Sequence, residues 1–383
     1  MLKKLQNFLF EWKQKKAFEK YQANNREIIF YSESYNYWPH FEQIIKHLWE
    51  DHRRKVIYLT SDQNDLIFLN PPPGVTSFYI GNGAVRTMLF VELESPLVVM
   101  TMPDLQTHYI KKSPKVKHYS YIFHSINSCH MVYRPHAFDF YDSIFSVGSH
   151  HDKEIRSLEN YNKSAPKKII KHGYARLEAL VQEYNKETVK EDIDKIPNIL
   201  IAPSWGNNAL LERHGGDFIK PLLDANLSIT LRPHPETLKN SAEILKNIAK
   251  NYKEYENFKI ESEVVSKTSL LEADLMISDY SGAALEYAFA LLKPVLFIDV
   301  PKKINNTKYE IHDIEPLEVK IRNEIGLVVT EDKLFNLLEK IYEILDNETY
   351  LTKNILLLRN KYIYNFGQSG KVAANELIKI ADQ

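Results

Sequence analysis

Short apolar runs alternate with longer segments of helical periodicity along most of the chain. The runs lie at residues 28–32, 56–59, 77–80, 97–100, 119–123 and 144–147 in the first half, and at 198–202, 227–231, 258–261, 275–278, 295–299 and 326–330 in the second. Strands of a parallel sheet are apolar throughout because helices cover both faces of the sheet. The pattern predicts an α/β fold with two doubly wound, Rossmann-like domains.

A change of composition marks the boundary between the two predicted domains. Residues 174–197 are charged and helical in pattern, and the apolar runs resume at Asn198. We expect an N-terminal helix over 1–24, a first domain over 25–190, a second over 191–365, and a C-terminal helix over 366–383 that could cross back to the first domain. Ligands of open α/β sheets bind at the carboxyl ends of the strands, so the domains are expected to face an interdomain cleft.

Composition and charge limit the function classes. The chain has 383 residues, 44% of them apolar and 26% charged, as in globular proteins of two domains. With 49 basic against 50 acidic side chains, no overall field would attract nucleic acid. The single cysteine, Cys129, excludes an internal disulfide and a cysteine-rich zinc site. No signal peptide or long apolar span is evident, so we expect a cytoplasmic protein.

The first twenty residues predict an amphipathic helix. One face carries apolar side chains, and several lysines lie around it, namely Leu2, Leu5, Leu9 and Trp12 with Lys3, Lys4, Lys13, Lys15, Lys16 and Lys20. Such a helix is typical of contact with an anionic membrane surface, which predicts peripheral association with the cytoplasmic face of the membrane. The alternative is a surface helix that packs against its own domain.

A β-α-β unit between residues 266 and 300 is the clearest chemical signal in the chain. An apolar strand ends at a polar turn over 278–282, an apolar helix follows, and Lys293-Pro294 ends that helix. Backbone N–H groups at a helix start favour anions, so Ser281, Gly282 and Ala283 are predicted to bind a phosphate.

Glu286 is the one charged residue of that helix, and a ribose hydroxyl is its predicted partner. The alternative for this stretch is structural: Asp279 and Ser281 cap the helix, and Glu286 reaches solvent or an arginine.

Two further loops follow strands of the second domain. Residues 202–207, which include Ser204, follow its first strand, and Arg232-Pro-His-Pro-Glu236 follows its second. Prolines on both sides stiffen the backbone around His234, which favours a side chain that must point at a phosphate. Arg232 could bind the phosphate or form an ion pair with Glu236 or Asp279.

His124 directly follows an apolar strand of the first domain and is a candidate general base. Other histidines nearby suggest a metal cluster as an alternative, although their spacing matches no standard ligand pattern. These are His130, His136, His150 and His151. We therefore predict no protein-bound metal, and leave open a divalent ion such as Mg²⁺ held mainly by a ligand diphosphate.

Several of these pieces, in this order, resemble the CDP-glycerol glycerophosphotransferase family, which includes teichoic-acid primases and polymerases. They are Ala202-Pro-Ser-Trp, Arg232-Pro-His-Pro-Glu, Ser278-Asp-Tyr-Ser-Gly and the helix before Lys293-Pro294, with Phe138-Asp-Phe-Tyr-Asp, Gly173-Tyr-Ala-Arg and Gly367-Gln-Ser-Gly-Lys. The resemblance covers roughly residues 95–383 and implies the GT-B fold. It also implies transfer of glycerol phosphate, or a related polyol phosphate, from a CDP-linked donor to a hydroxyl of a cell-surface polymer or lipid-linked acceptor, with release of CMP.

The resemblance gives the candidate residues their roles. His124 takes the place of the family's acceptor-domain histidine and His234 that of the histidine near the diphosphate, so both are predicted to be catalytic. The predicted donor-binding set is Ser204, Arg232, Ser278, Asp279, Ser281, Gly282, Ala283 and Glu286. One departure is Ser125-Ile126, where family members usually have Gly-Thr after the first histidine.

Two other functions stay open at this point. A GT-B glycosyltransferase that uses a UDP- or CMP-linked sugar, in capsule, O-antigen or other surface polysaccharide synthesis, would need the same phosphate and ribose contacts. A catalytically silent binding subunit of such a pathway is kept open by the altered residues after His124.

Overall fold

The computed structural model describes residues 2–23, 25, 27–107, 110–186, 196–262 and 267–383. The predicted domain boundary at 190/191 and most of the charged end of the 174–197 stretch lie outside these residues.

The strands, in chain order, are β1 (Ile28–Ser32), β2 (Val56–Thr60), β3 (Val75–Tyr79), β4 (Val98–Met100), β5 (Tyr119–Ile122), β6 (Ser143–Ser146), β7 (Lys168–Lys171), β8 (Asn198–Ile201), β9 (Ser228–Leu231), β10 (Phe258–Ile260), β11 (Leu275–Ser278), β12 (Val295–Asp299) and β13 (Gly326–Thr330). The helices are α1 (Leu2–Gln22), α2 (Glu42–Glu50), α3 (Leu66–Leu69), α4 (Ala84–Glu92), α5 (Cys129–Val132), α6 (Ser149–Asn162), α7 (Ala175–Tyr184), α8 (Leu210–His214), α9 (Lys220–Asp224), α10 (Pro235–Asn240), α11 (Ala242–Asn251), α12 (Thr268–Glu272), α13 (Gly282–Leu291), α14 (Leu317–Lys320), α15 (Arg322–Ile325), α16 (Leu337–Asp346), α17 (Glu348–Tyr362) and α18 (Ser369–Ala381).

The first unit is built on a parallel sheet with strand order β3-β2-β1-β4-β5-β6-β7. Strands β1, β2, β4, β5 and β6 are buried along their whole length, as expected of apolar strands covered on both faces. The order reverses between β1 and β4. That reversal is the topological switch point, where open α/β sheets bind their ligands.

Helix α18 completes the core of the first unit. Its buried face packs against α2 together with the apolar side chains of β1 and β2. Gly370 allows this close approach, because a Cβ at that position would lie 2.9 Å from the Cβ of Gln43. The last segment of the chain therefore belongs structurally to the first unit.

The second unit contains a parallel sheet with strand order β10-β9-β8-β11-β12-β13. Apolar side chains of β8, β9, β11 and β12 pack with α9, α11 and α16 into one core. Here the order reverses between β8 and β11. The loops that follow these two strands, after Ile201 and after Ser278, are the expected ligand site of this unit.

The contact pattern divides the chain at points that differ from the predicted ranges. The first unit comprises residues 1–125, 133–179 and 362–383, and the second comprises 126–132 and 180–361. Hydrogen bonds explain why the short segment 126–132 belongs to the second unit. The Ser128 N–H donates to the buried Glu318 carboxylate at 2.8 Å, and the His130 imidazole lies 2.9 Å from the carbonyl oxygen of Ile314.

Candidate active site

At the switch point of the second unit, Asp279 connects the loop after β11 to the loop after β8 by hydrogen bonds. Its buried carboxylate accepts hydrogen bonds from the backbone N–H groups of Ser204, at 2.6 Å, and Leu210, at 3.0 Å. Burial raises the pKa of Asp279, and these two donors oppose the rise. The neighbouring Ser278 hydroxyl donates to the carbonyl oxygen of Ala202 at 2.7 Å and is completely buried. Both side chains thus hold the loop backbone.

The start of α13 supplies polar groups at the same edge of the sheet. The Ser281 hydroxyl oxygen accepts the Ala283 N–H at 3.3 Å. Ser281 is therefore the N-cap of α13, as in the capping role considered above as an alternative to phosphate binding. Gly282 and Ala283 are half-buried. Within the described residues the Gly282 N–H has no hydrogen-bond acceptor. A serine hydroxyl proton and this N–H therefore remain to bind an anion at the positive end of the helix dipole.

A backbone N–H two residues along the chain fixes the tautomer of His234. Its Nδ1 accepts the Glu236 N–H at 3.1 Å, at the beginning of α10. A nitrogen that accepts carries no proton, so a neutral His234 presents an N–H at Nε2. Burial, and then the nearby Lys303 ammonium, lower the pKa of His234 to about 4. His234 is therefore a neutral N–H donor at physiological pH.

The remaining members of the predicted donor-binding set lie on the same loops and helix. Arg232 is half-buried, and its backbone N–H donates to the carbonyl oxygen of Ile201 at 2.8 Å, next to the Ser204 loop. Ser204 is buried, and its backbone N–H donates to the Asp279 carboxylate. Glu286 lies one turn into α13 and is half-buried, more exposed than its apolar neighbours in the sequence suggested.

Trp205 and Lys303 form a pair that the sequence did not single out. The Lys303 ammonium lies 3.9 Å from the centre of the Trp205 ring, and that ring lies 5.8 Å from the His234 ring. Residues 204–209 and 301–305 enclose a pocket of about 440 Å³ beside them. Gly206, with φ +110°, provides the turn after Trp205 that other residues would adopt only under strain.

In the first unit, His124 lies beyond the end of β5, close to the switch point. Its Nδ1 is 3.0 Å from the carbonyl oxygen of Thr101, which follows β4, and 3.4 Å from the Tyr121 hydroxyl. A carbonyl oxygen only accepts, so the proton of a neutral His124 is on Nδ1 and the lone pair is on Nε2. That is the arrangement of a general base.

Two tyrosines and His40 surround His124, and His172 acts electrostatically on His40. The rings of Tyr37 and Tyr133 lie 5.4 and 6.0 Å from its ring, both edge-on, and the His40 ring lies at 6.2 Å. His40 and His172 are buried, and burial keeps the pKa of His40 well below its usual range and lowers that of His172 to about 3. Both are neutral, so they add polarity without charge.

The other histidines serve structural contacts. His136 pairs with Asp139 at 2.6 Å, and the buried His130 contacts the Ile314 carbonyl. His150 and His151 begin α6, where the His151 ring stacks on Phe123. Across the described ranges, no three His, Cys, Asp or Glu side chains are grouped so that they could hold a metal ion. Nor does a helix in the described part of the chain have the length and apolar character needed to cross a membrane.

Comparison with solved structures identifies the fold. The wall teichoic acid polymerase TagF, solved with CDPG, matches with a TM-score of 0.63 at 14% identity over 100% of this chain and 96% of its own. A UDP-GlcNAc 2-epimerase from Neisseria meningitidis, bound to UDP-GlcNAc, matches with 0.57 at 14% identity over 92% and 100%. The glycosyltransferase WaaG matches with 0.50 at 15% identity over 91% and 99%. The protein has the GT-B fold, as predicted.

The sequence then gives the family. The model of the CDP-Glycerol:Poly(glycerophosphate) glycerophosphotransferase family matches residues 128–371, more than half of the chain. The protein belongs to this family, which confirms the resemblance drawn from the loops, and it is a transferase of the glycerophosphotransferase type. No protein with a curated description matches the sequence.

Proposed function

We propose that the protein transfers glycerol phosphate, or a related polyol phosphate, from a CDP-linked donor to a hydroxyl of a surface polymer or lipid-linked acceptor and releases CMP. The observation that carries the proposal is the loop edge of the second unit. There the neutral N–H donor His234 follows β9, and the start of α13 at Ser281 and Gly282 follows β11 at the topological switch point, so both would offer N–H groups to an anion.

The proposed reaction is a displacement at the phosphorus that carries the polyol. The acceptor hydroxyl loses its proton to Nε2 of His124, and its oxygen forms the new bond to that phosphorus. The bond from the same phosphorus to the bridging oxygen breaks, and CMP leaves with the electron pair. The second unit would stabilise the developing negative charge through the Nε2–H of His234 and the α13 N-terminus. Transfer of this kind needs positioned groups and neutralised phosphate oxygens more than covalent help from the protein.

The predicted donor contacts are divided between two kinds of role in this proposal. Ser281, Gly282 and Ala283 would contact the diphosphate, Arg232 would contribute charge, and Glu286 would meet the ribose. Ser278, Asp279 and Ser204 would act by holding the loops in place, because their polar groups are buried and engaged with each other and with Ala202.

We also propose that α1 contacts the membrane where a lipid-linked acceptor would reside. One face of α1 packs on the first unit through Phe18, which is 1% exposed, and through Lys15, which is ion-paired with Glu92 at 2.8 Å. Lys15 is thus not available to lipid, contrary to the sequence-based expectation. Another face leaves Leu5, Phe8 and Leu9 exposed at 57, 43 and 57%, and the lysines around it, Lys13, Lys16 and Lys20, are also exposed.

Donor preference tests the proposed function. Thermal unfolding is measured with CDP-glycerol, CDP-ribitol, UDP-sugars and CMP-sugars at matched concentrations. A ligand at a hundred times its dissociation constant stabilises the folded state by about 2.7 kcal/mol, which such a scan resolves. We expect the largest shift with a CDP-linked polyol. A larger shift with a UDP- or CMP-linked sugar would favour the glycosyltransferase alternative.

A further inference from the structure

Lys303 is a half-buried lysine at the loop edge of the second unit, and the family resemblance did not include it among the site residues. It lies on the segment that follows β12 and lines the pocket enclosed by residues 204–209 and 301–305. Backbone hydrogen bonds hold this segment: the N–H groups of Asn305 and Asn306 both donate to the carbonyl oxygen of Met131 at 3.1 Å. The ammonium is therefore carried on an anchored loop.

The Trp205 ring orients the Lys303 ammonium. The nitrogen lies 3.9 Å from the ring centre, within the range of a cation–π contact. The same ring is tilted by 31° to that of His234, 5.8 Å away. Lys303 and His234 are thus both neighbours of the Trp205 ring.

Lys303 has no direct counterion within the described residues, since no carboxylate oxygen lies within 4.0 Å of its nitrogen. Three carboxylates attract it from farther away, and each has at least one oxygen in a hydrogen bond or ion pair, while Oε2 of Glu212 is buried with no hydrogen-bond partner among the described residues. Asp279 accepts the Ser204 and Leu210 N–H groups, Glu212 accepts the Thr237 and Ser241 hydroxyls, and Glu236 pairs with Lys239. Burial lowers the pKa of Lys303 to about 8, against the attraction of Asp279, Glu212 and Glu236. A partly desolvated cation without a direct ion pair is well suited to bind an anion.

We propose that Lys303 binds the diphosphate of the nucleotide donor, next to the Nε2–H of His234. The inference rests on the proposed function for the identity of the donor, but its chemistry requires only a nucleoside diphosphate. Trp205 is then a positioning residue, which sets the ammonium over its ring and towards the anion.

Binding of CDP and of cytidine, measured by calorimetry, separates a diphosphate contact from a structural role. Lys303→Met keeps an unbranched side chain of similar length and removes the charge, Lys303→Arg keeps the charge, and Lys308→Met removes an exposed lysine of the same segment as a control. We expect Lys303→Met to bind CDP about tenfold or more weakly, with cytidine binding unchanged. Lys303→Arg should recover most of the affinity, and Lys308→Met should match the wild type. Equal CDP affinity in the wild type and Lys303→Met would overturn the proposal.

The pH profile gives a second readout that a purely structural role would not move. The ammonium loses its charge as the pH rises through about 8, so wild-type affinity for CDP-glycerol should fall above that pH. Lys303→Arg keeps its charge, so its affinity should stay constant up to pH 9.5. A wild-type profile that is flat up to that pH would contradict the proposal.

The two proposals fail in different ways. If the wild type binds UDP or a UDP-sugar and not CDP, and Lys303→Met weakens that binding, the CDP-linked donor is wrong and the role of Lys303 stands. If CDP-glycerol is the donor and Lys303→Met uses it with unchanged kcat/KM, the role of Lys303 is wrong and the function stands.

Discussion

The Nδ1 atom of His124 lies 3.0 Å from the backbone carbonyl oxygen of Thr101, at the end of the neighbouring strand. This bond places the lone pair of the neutral imidazole on Nε2, as a general base requires. We predict that His124→Ala lowers the initial rate of transfer about a hundredfold or more, with little change in the KM for the donor.

The matched control for that prediction is His52→Ala, an exposed histidine of the first unit, which should leave the rate unchanged. Circular dichroism would confirm that both variants fold. Unchanged transfer activity in His124→Ala would rule out His124 as the base, whereas no transfer by the wild type with any donor would support the silent binding subunit.

His234 is held in the opposite tautomer, because its Nδ1 accepts a backbone N–H instead of donating to a carbonyl oxygen. With a pKa of about 4, it does not titrate between pH 5.5 and 7.5. We predict that the affinity for CDP-glycerol is constant over this range, and that His234→Ala binds it about tenfold more weakly at every pH in the range. A rise in wild-type affinity on acidification near pH 6.5 would show that His234 binds as a cation, against this account.

His172 makes stability depend on pH. It is 2% exposed, neither ring nitrogen has a hydrogen-bond partner within the described residues, and burial lowers its pKa from 6.5 to about 3. As the pH falls below 6.5, the unfolded chain takes up a proton that the folded protein does not, so stability is lost progressively down to about pH 3. For this residue alone the loss between pH 8 and pH 5 should be about 2 kcal/mol.

Urea unfolding of the wild type and of His172→Leu at pH 8 and pH 5 measures that loss. The variant should lose about 2 kcal/mol less than the wild type between the two conditions. His52→Leu, at an exposed histidine of the same unit, is the control for replacing a histidine with leucine. An identical pH dependence in the wild type and His172→Leu would contradict the buried, neutral state of His172.

The exposed face of α1 predicts binding to anionic lipid. Deleting the helix would also remove the buried Phe18, so point substitutions on the exposed face give a cleaner test. We predict that Leu5→Glu with Leu9→Glu weakens co-sedimentation with anionic vesicles at least about tenfold, because two apolar side chains are lost and negative charge is added. Leu357→Glu, at a residue of the second unit that is 68% exposed, is the control. Equal sedimentation of all three proteins would count against membrane contact through α1.

Much of the fold followed from apolar runs, and the reason lies in burial. Strands such as β1 and β12 are almost wholly apolar because helices cover both faces, so their positions were predicted within a residue or two. Strand β7, at the edge of its sheet, was missed because only Ile170 of its four residues is buried and lysines occupy its ends. Its strand conformation depends on pairing with β6, which no local pattern shows.

Parts of the candidate site could be predicted where neighbouring residues in the sequence give a local signal. Prolines around His234 and the polar turn before α13 are local signals, and both fall at strand ends in the second unit. Asp279 and Ser278 were expected to bind the ligand, but their hydrogen-bond partners come from the distant 202–210 loop, which sequence alone could not show. Lys303 was not predicted as a site residue, because the residues that interact with it, Trp205, His234 and Asp279, lie on other loops of the chain.

Transfer from a radiolabelled donor decides whether the protein is a polyol-phosphate transferase. The protein is incubated with CDP-glycerol labelled in the glycerol and with a panel of lipid-linked acceptors, and the labelled lipid and the released CMP are both quantified. We predict that label appears in an acceptor in amounts equal to the CMP released, and that His124→Ala suppresses both. Label that stays in CDP-glycerol, while a UDP- or CMP-linked sugar is transferred under the same conditions, would contradict this prediction.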